Sequence, residues 1–204
     1  MASELILALH DIGAIKFGQF TLKSGIQSPV YFDFRDVSCF PKLLRKVSEA
    51  LWKAGQDAGI RADSVCGVPY TALPFATVIA DHHEVPMVIR RKEAKSYGTA
   101  KLIEGDRVLT AGSRCLVVED VVTSGSSVLD TVRVLKEAAE GVIVEDAVVL
   151  LDRQQGGRRK LLDAGVRMHS IFTVAEVLAV LQSNGRISDA QVDSVKQFVK
   201  DNQF

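Results

Sequence analysis

One stretch limits what this chain can fold into more than any other. It runs Arg114-Cys-Leu-Val-Val-Glu119-Asp120-Val121-Val122-Thr123-Ser124-Gly125-Ser126-Ser127-Val128. The run from Arg114 to Val118 is apolar and rich in β-branched side chains, which reads as a strand buried on both faces of a parallel sheet. Glu119 and Asp120 then set two adjacent carboxylates at the strand's C-terminal end. Thr123 to Ser127 is a turn of small, hydroxylated residues around one glycine. Val128, Leu129, Val132, Leu135 and Ala139 follow at helical spacing, so a helix starts directly after the turn. Loop amides and a helix N-terminus offer unpaired N–H groups to a phosphate. The hydroxyls add donors, and Gly125 lets backbone come close. Carboxylates accept hydrogen bonds from sugar hydroxyls, so the stretch describes a phosphosugar site. It is no Walker loop, since no Gly-Lys-Ser/Thr occurs in the chain, and no dinucleotide fingerprint, since it holds one glycine rather than three. A serine-capped helix after a buried strand would account for the hydroxyls but not for adjacent acids.

The rest of the composition narrows the class. A length of 204 residues suits one domain, and 47% hydrophobic residues can build a sizeable core. A formal net charge of zero argues against a general nucleic-acid or membrane-surface binder. The three cysteines, Cys39, Cys66 and Cys115, form no CxxC and read as reduced thiols of a cytoplasmic protein. The N-terminus lacks a basic region ahead of its short apolar run, so no signal peptide is expected. No run is long enough to span a bilayer as a helix.

In chain order, residues 3–12 read as a short amphipathic helix. Phe17–Leu22 and Val30–Phe34 read as two strands of a small flap beside the main sheet. Leu43, Leu44, Val47, Ala50, Leu51 and Ala54 mark a helix over about 41–57. Ser64–Val68 is a strand, followed by the loop Gly67-Val-Pro-Tyr70-Thr71 and a helix towards Ala80. Met87–Arg90 is a strand. The segment 90–101 then carries five basic residues and one acid in an otherwise neutral chain, and its polarity and Gly98 suggest a mobile loop. Glu145–Leu151 is a strand ending at Asp152-Arg153, and Val166–Phe172 another. Thr173-Val-Ala-Glu176 and Ser188-Asp-Ala-Gln191 are capping boxes opening two last helices. Strands alternating with helices give an α/β fold, a central parallel sheet flanked by helices. The whole of 1–204 reads as one domain: about 1–40 for the first helix and flap, 60–175 for the core sheet and 173–204 for the C-terminal helices.

Val117 to Val128 resembles the 5-phosphoribosyl 1-diphosphate (PRPP) signature of type I phosphoribosyltransferases. Thr21-Leu-Lys23-Ser-Gly, Ser28-Pro-Val-Tyr31-Phe32 and Arg91-Lys92-Glu-Ala-Lys95-Ser-Tyr97-Gly are similar to stretches of the orotate phosphoribosyltransferases within that family. The resemblance implies a hood formed by the N-terminal flap over the ligand edge. It implies transfer of phosphoribose from PRPP to orotate, in pyrimidine biosynthesis, with Mg²⁺ held through PRPP and not directly by protein. Catalytic roles fall on Lys95, Asp120, Glu119 and Lys92. PRPP contacts fall on Lys23, Tyr70, Thr71, Arg91, Lys92, Lys95, Tyr97 and the run Glu119, Asp120, Val121, Val122, Thr123, Ser124, Gly125, Ser126 and Ser127. Orotate contacts fall on Tyr31, Phe32, Thr123 and Arg153. Aromatic faces suit a planar pyrimidine, and a guanidinium fork suits a carboxylate.

Thr71 stands where many relatives carry lysine, and Tyr97 where many microbial members carry histidine. A phenol can donate to a phosphate oxygen but brings no second positive charge. Tyr97 and the following Lys-Leu-Ile-Glu-Gly look more like the animal branch, the bifunctional UMP synthases, in which an orotidine-monophosphate decarboxylase follows. The Asp-x-Lys-x-x-Asp signature of that second half is absent, so the chain reads as free-standing or as one domain of such a fusion. The resemblance also implies a homodimer with shared active sites, and no nucleic-acid or membrane partner. The rival readings are the same fold with a purine substrate, which leaves Tyr31, Phe32 and Arg153 unused, and a non-catalytic PRPP sensor, which has no use for Lys92 and Lys95.

Overall fold

The computed structural model describes residues 2–22, 25–93 and 101–204. Helix α1 (Ala2–Asp11) leads into a hairpin of β1 (Ile15–Thr21) and β2 (Gln27–Phe32), a two-stranded antiparallel sheet of its own. The flap expected from sequence is therefore separate from the main sheet, though β1 begins at Ile15 and β2 at Gln27, earlier than expected. Pro29 lies inside β2, where a two-stranded sheet leaves an open side that needs no N–H donor. Helix α2 (Pro41–Asp57) starts on a proline at its first position, which costs no helical hydrogen bond. It buries Leu43, Val47 and Leu51, the stripe read from the sequence.

Among the described residues the main sheet has six strands in the order β5-β4-β3-β6-β7-β8. These are β3 (Ser64–Gly67), β4 (Met87–Arg90), β5 (Ile103–Glu104), β6 (Cys115–Val122), β7 (Asp146–Asp152) and β8 (Arg167–Thr173). All pairings are parallel except that of β4 with β5. That antiparallel edge strand, two residues long, has no sequence signature. Between the strands run α3 (Ala72–His83), α4 (Ser126–Ala138) and α5 (Gly157–Asp163), and α6 (Val174–Ser183) and α7 (Asp189–Asp201) close the chain. Both expected capping boxes form, Thr173 with Glu176 and Ser188 with Gln191. Helix α5, seven residues capped by Gly156 and opening on Gly157, is not marked in the sequence.

Period-two alternation divides the strands between two cores. Leu116, Val118, Val148 and Leu150 pack with α1, α2, α3, α6 and the hairpin. Val117, Ala147 and Val149 pack with Val128, Val132 and Leu135 of α4 and Leu161 of α5. Cys66 and Cys115 are buried free thiols and Cys39 is exposed. Burial pushes the Cys115 thiol up to about 11, so it stays protonated and inert. Among the described residues no helix is long and apolar enough to cross a membrane.

One strand boundary corrects the reading from sequence. β6 does not end at Val118 with the carboxylates beyond it. β3 stops beside it at Gly67↔Val118, but β7 continues the ladder through Val121↔Leu151 and Val122↔Asp152. Glu119 and Asp120 therefore lie within the strand, past the end of one neighbour and alongside the other.

Candidate functional site

The C-terminal ends of β3, β6 and β7 open on one edge, the edge at which α/β sheets bind ligands. Glu119 and Asp120 leave the strand on opposite faces, yet their carboxyls stay close enough to act on each other. Glu119 is 5% exposed, and its Oε1 accepts the Asp120 N–H at 2.9 Å. Burial, and then the charge of Asp120, raise the Glu119 carboxyl well above the usual range, with Arg90 opposing. Burial also raises Asp120, opposed by its bond to Glu119, and Asp33 of the hairpin side adds a repulsive charge. Asp120 is half-buried and remains the more reachable acceptor.

After β6 the chain turns through Thr123-Ser124-Gly125 into α4. Gly125 adopts φ 78°, in the left-handed region, and no side chain caps the helix. The first amides of α4 thus keep no side-chain acceptor and are free for an anion. Residues 121–128 and Glu119 line a cleft of about 100 Å³ at this point. Ser124 Oγ and Ser126 Oγ lie 3.0 Å apart, and Lys160 Nζ of α5 donates to Ser126 Oγ at 3.2 Å. The sequence reading missed Lys160; it falls in a run of basic helix residues with no motif around it. The loop's rear wall is α5. Gly157 N donates to Thr123 O at 3.0 Å, and a Cβ on Gly157 would lie 2.5 Å from that same carbonyl oxygen.

Arg90 lies beneath this loop. Its Nη1 donates to Thr131 Oγ1 at 2.8 Å and to Ser127 O at 3.4 Å, tying β4 to the first turns of α4, while its Nε is sealed without a partner. In the sequence it is only the first member of a basic run.

Arg153 follows β7. Its N–H donates to Val122 O at 3.0 Å, so it stands beside the end of β6. It forms no pair with Asp152, which bonds Arg158 and the Gln154 N–H instead. The Arg153 guanidinium lies between two rings, Phe32 at 5.8 Å and Phe198 of α7 at 6.0 Å. Burial pulls its pKa down, and among the described residues its Nη2 has no hydrogen-bond partner. Phe198 reads from sequence only as a core position of the last helix. The tail beyond it straps the same segment: Gln155 Nε2 donates to Asn202 O at 2.7 Å and Phe204 N to Gln155 O at 3.0 Å. Tyr31, on the other face of β2, meets the Phe20 ring at a tilt with centroids 5.5 Å apart, and its hydroxyl lies 3.4 Å from Arg35 Nη2. Of the two expected aromatics, the fold brings Phe32, not Tyr31, against Arg153.

Tyr70 is 65% exposed at the tip of the β3–α3 loop, and Lys92 Nζ sits 5.9 Å from its ring centroid. Thr71 precedes α3 and makes no side-chain cap. Gly67 is required here, since a Cβ would lie 2.7 Å from Ala72 O. Arg91 Nε donates to Glu104 Oε1 at 2.7 Å, which turns it towards β5. Lys23, Lys95 and Tyr97 lie outside the described residues.

The model of the phosphoribosyl transferase domain family matches residues 38–180. The chain is 49% identical to the uridine 5'-monophosphate synthase of Bos taurus over 204 residues, the whole of this chain and 42% of that protein. It is 38% identical to the orotate phosphoribosyltransferase of Chlamydia caviae, covering 93% of this chain and 90% of that one. The structure of Leishmania donovani UMP synthase superposes with a TM-score of 0.86 at 31% identity, over 98% of this chain and 42% of that one. The chain thus spans about two fifths of the length of the UMP synthases it matches.

Two predictions follow from the electrostatics and the packing. A carboxyl whose folded pKa is raised costs stability once ionised, so that stability is present at low pH and lost as pH rises. Asp120→Asn should therefore raise the urea midpoint at pH 7, and the gain should vanish below about pH 3, under the unfolded pKa, where both states are protonated. An equal difference at both pH values would contradict this. Gly157→Ala should destabilise by about 1–3 kcal/mol, because the Thr123 backbone must move. Denaturant titration checks it, and a neutral substitution would mean that the wall is soft.

Proposed function

The chain belongs to the phosphoribosyl transferase family, and from that membership we propose that it transfers phosphoribose from PRPP to orotate. The products are orotidine 5'-monophosphate and diphosphate, in the de novo route to UMP. The observation that carries the choice of base is Arg153, a half-buried guanidinium between Phe32 and Phe198 with one nitrogen lacking any acceptor. Among the described residues no carboxylate forms an ion pair with it. A desolvated cation without a counter-ion calls for an anionic or carbonyl-rich ligand, and the flanking rings call for a flat one. Orotate is both.

In this reading the orotate N1–C1′ bond forms as the C1′–O bond to diphosphate breaks, through an oxocarbenium-like ribose, and the N1 proton is released with the diphosphate. The 5′-phosphate sits on the loop 123–127 and the start of α4, with Lys160 adding charge beside Ser126. Asp120 accepts from ribose hydroxyls. Tyr70, Thr71 and Lys92 hold the diphosphate. Lys23, Lys95 and Tyr97 enter through the family resemblance. The protein's work is positioning and charge stabilisation, with no covalent intermediate.

Mg²⁺ suits this donor set as a companion of the substrate. Glu119 is sealed and bonded, and Asp120 is its nearest acidic neighbour, so the described site offers no open cage of carboxylates. Diphosphate and ribose oxygens with water would hold the ion, which supplies neutralising charge when bound. Fusion to a decarboxylase of orotidine 5'-monophosphate belongs to the same proposal, in keeping with the two-fifths span.

The test is a base screen with PRPP and Mg²⁺, read as diphosphate release. Orotate should turn over, with uracil, adenine and hypoxanthine much poorer, and Arg153→Met should raise the KM for orotate roughly 10- to 100-fold, the loss of a charged hydrogen bond. Comparable rates with a purine would overturn the assignment.

The shared-site dimer generates its own prediction. The proposal draws Arg91, Lys95 and Tyr97 from one subunit and the 119–127 segment from the other. Lys95→Ala alone should cut kcat by roughly 10²- to 10³-fold, as for a lost oxyanion donor. Asp120→Ala should also be nearly inactive. Dissociated and reassociated together at random, half the dimers are mixed and each carries one intact site, so activity should return to about a quarter of wild type. No recovery in proven mixed dimers would show that each site is built from one chain.

A further inference from the structure

Away from this edge, the last turn of α3 meets α2 at a second convergence of donor atoms. Glu49 Oε2 lies 3.3 Å from His82 Nδ1 and 3.0 Å from His83 Nε2. One donor atom from each residue falls within 4.8 Å of the others. The three side chains line a cleft of about 590 Å³ between the helices, which leaves room for water on the open side. His83 is fixed in advance: its ring stacks on Trp52 at 4.8 Å, and its side chain is only 20% exposed. His82 meets His83 edge-on at 4.9 Å.

A carboxylate accepting two imidazole N–H groups accounts for the contacts but not for their focus on a single oxygen, with Glu49 Oε1 left out. A cation accounts for both. Four-coordinate zinc with bonds of about 2.0–2.1 Å has donor–donor edges of about 3.3 Å; one edge here has that length and a second, at 3.0 Å, is slightly shorter. Two imidazoles with one carboxylate form a borderline donor set, which selects Zn²⁺ and its neighbours over Mg²⁺, a cation that takes oxygen ligands. We propose that Glu49, His82 and His83 form an open site for a divalent transition-metal cation of the Zn²⁺ class, completed by water. Such an ion clips the C-terminal end of α3 to α2. The other end of α3 follows Tyr70 and Thr71, so the clip steadies the helix that presents that loop. The site stands independently of the proposed reaction.

The experiment is a calorimetric titration of the full chain with Zn²⁺, in a Cys39→Ser background that removes the exposed thiol. One Zn²⁺ should bind per chain, and Zn²⁺ should raise the thermal midpoint by mass action. Glu49→Gln and His82→Gln should each weaken binding at least about tenfold and abolish the thermal shift. Both side chains are more than half exposed, at 52% and 70%, so neither substitution threatens the fold. Absence of stoichiometric binding would overturn the proposal. So would binding that both substitutions leave unchanged.

Discussion

Everything at the ligand edge depends on the two-sided burial of β6. A strand covered by α3 on one face and α4 on the other has to be apolar, and residues 115–118 are. Its last residues run past the end of β3 but stay laddered to β7, so the chain carries two carboxylates into a region with little water. The same pairing holds Val121 and Val122 straight, which fixes where the loop 123–125 begins. Gly157 then closes on Thr123 from behind, leaving the loop amides only the outward direction. The anion-binding geometry follows from packing that was needed in any case to cover the sheet.

That arrangement is electrostatically uncomfortable when empty. Burial pushes Glu119 and Asp120 towards neutrality, and the charge of Asp120 pushes Glu119 further. Among the described residues Arg153, desolvated beside two rings, meets no carboxylate, and the sealed Nε of Arg90 has no partner. Each would be better satisfied by replacement or by a ligand, and unsatisfied groups of this kind cluster where strain is spent on function. Acids at one position and cations at two others form a charge pattern that a phosphosugar and an anionic base complement. Arg90 opposes the rise of Glu119 without cancelling it.

How much of this was legible in the sequence depended on whether the signal was local. The strand–acid–loop–helix run lies in consecutive residues, and α2 and both capping boxes announce themselves within one or two turns. The extent of β6 was not legible, because its last four residues are held by pairing with β7 and not by any change in their own composition. Lys160 and Gly157 were missed because their importance is a contact with a loop more than thirty residues away. Phe198 looked like any core position of an amphipathic helix. Tyr31 and Phe32 looked equivalent as neighbours, but the pleat of β2 sends their rings to opposite faces.

Arg153 shows why such a site needs the whole fold. Its backbone is fixed by Val122 of β6, one ring comes from the hairpin and the other from α7. The tail after α7 bonds the segment 154–155, so the helix that supplies Phe198 also anchors the turn that carries the guanidinium. Position and environment are thereby coupled: a shift of α7 moves the ring and the turn together and preserves the stack. A guanidinium on a free loop would find water or a nearby carboxylate, and Asp152 is its immediate neighbour. Asp152 is instead occupied by Arg158 and the Gln154 N–H, so the adjacent acid is withdrawn from competition. The unpaired charge is thus maintained by hydrogen bonds that Arg153 itself does not make.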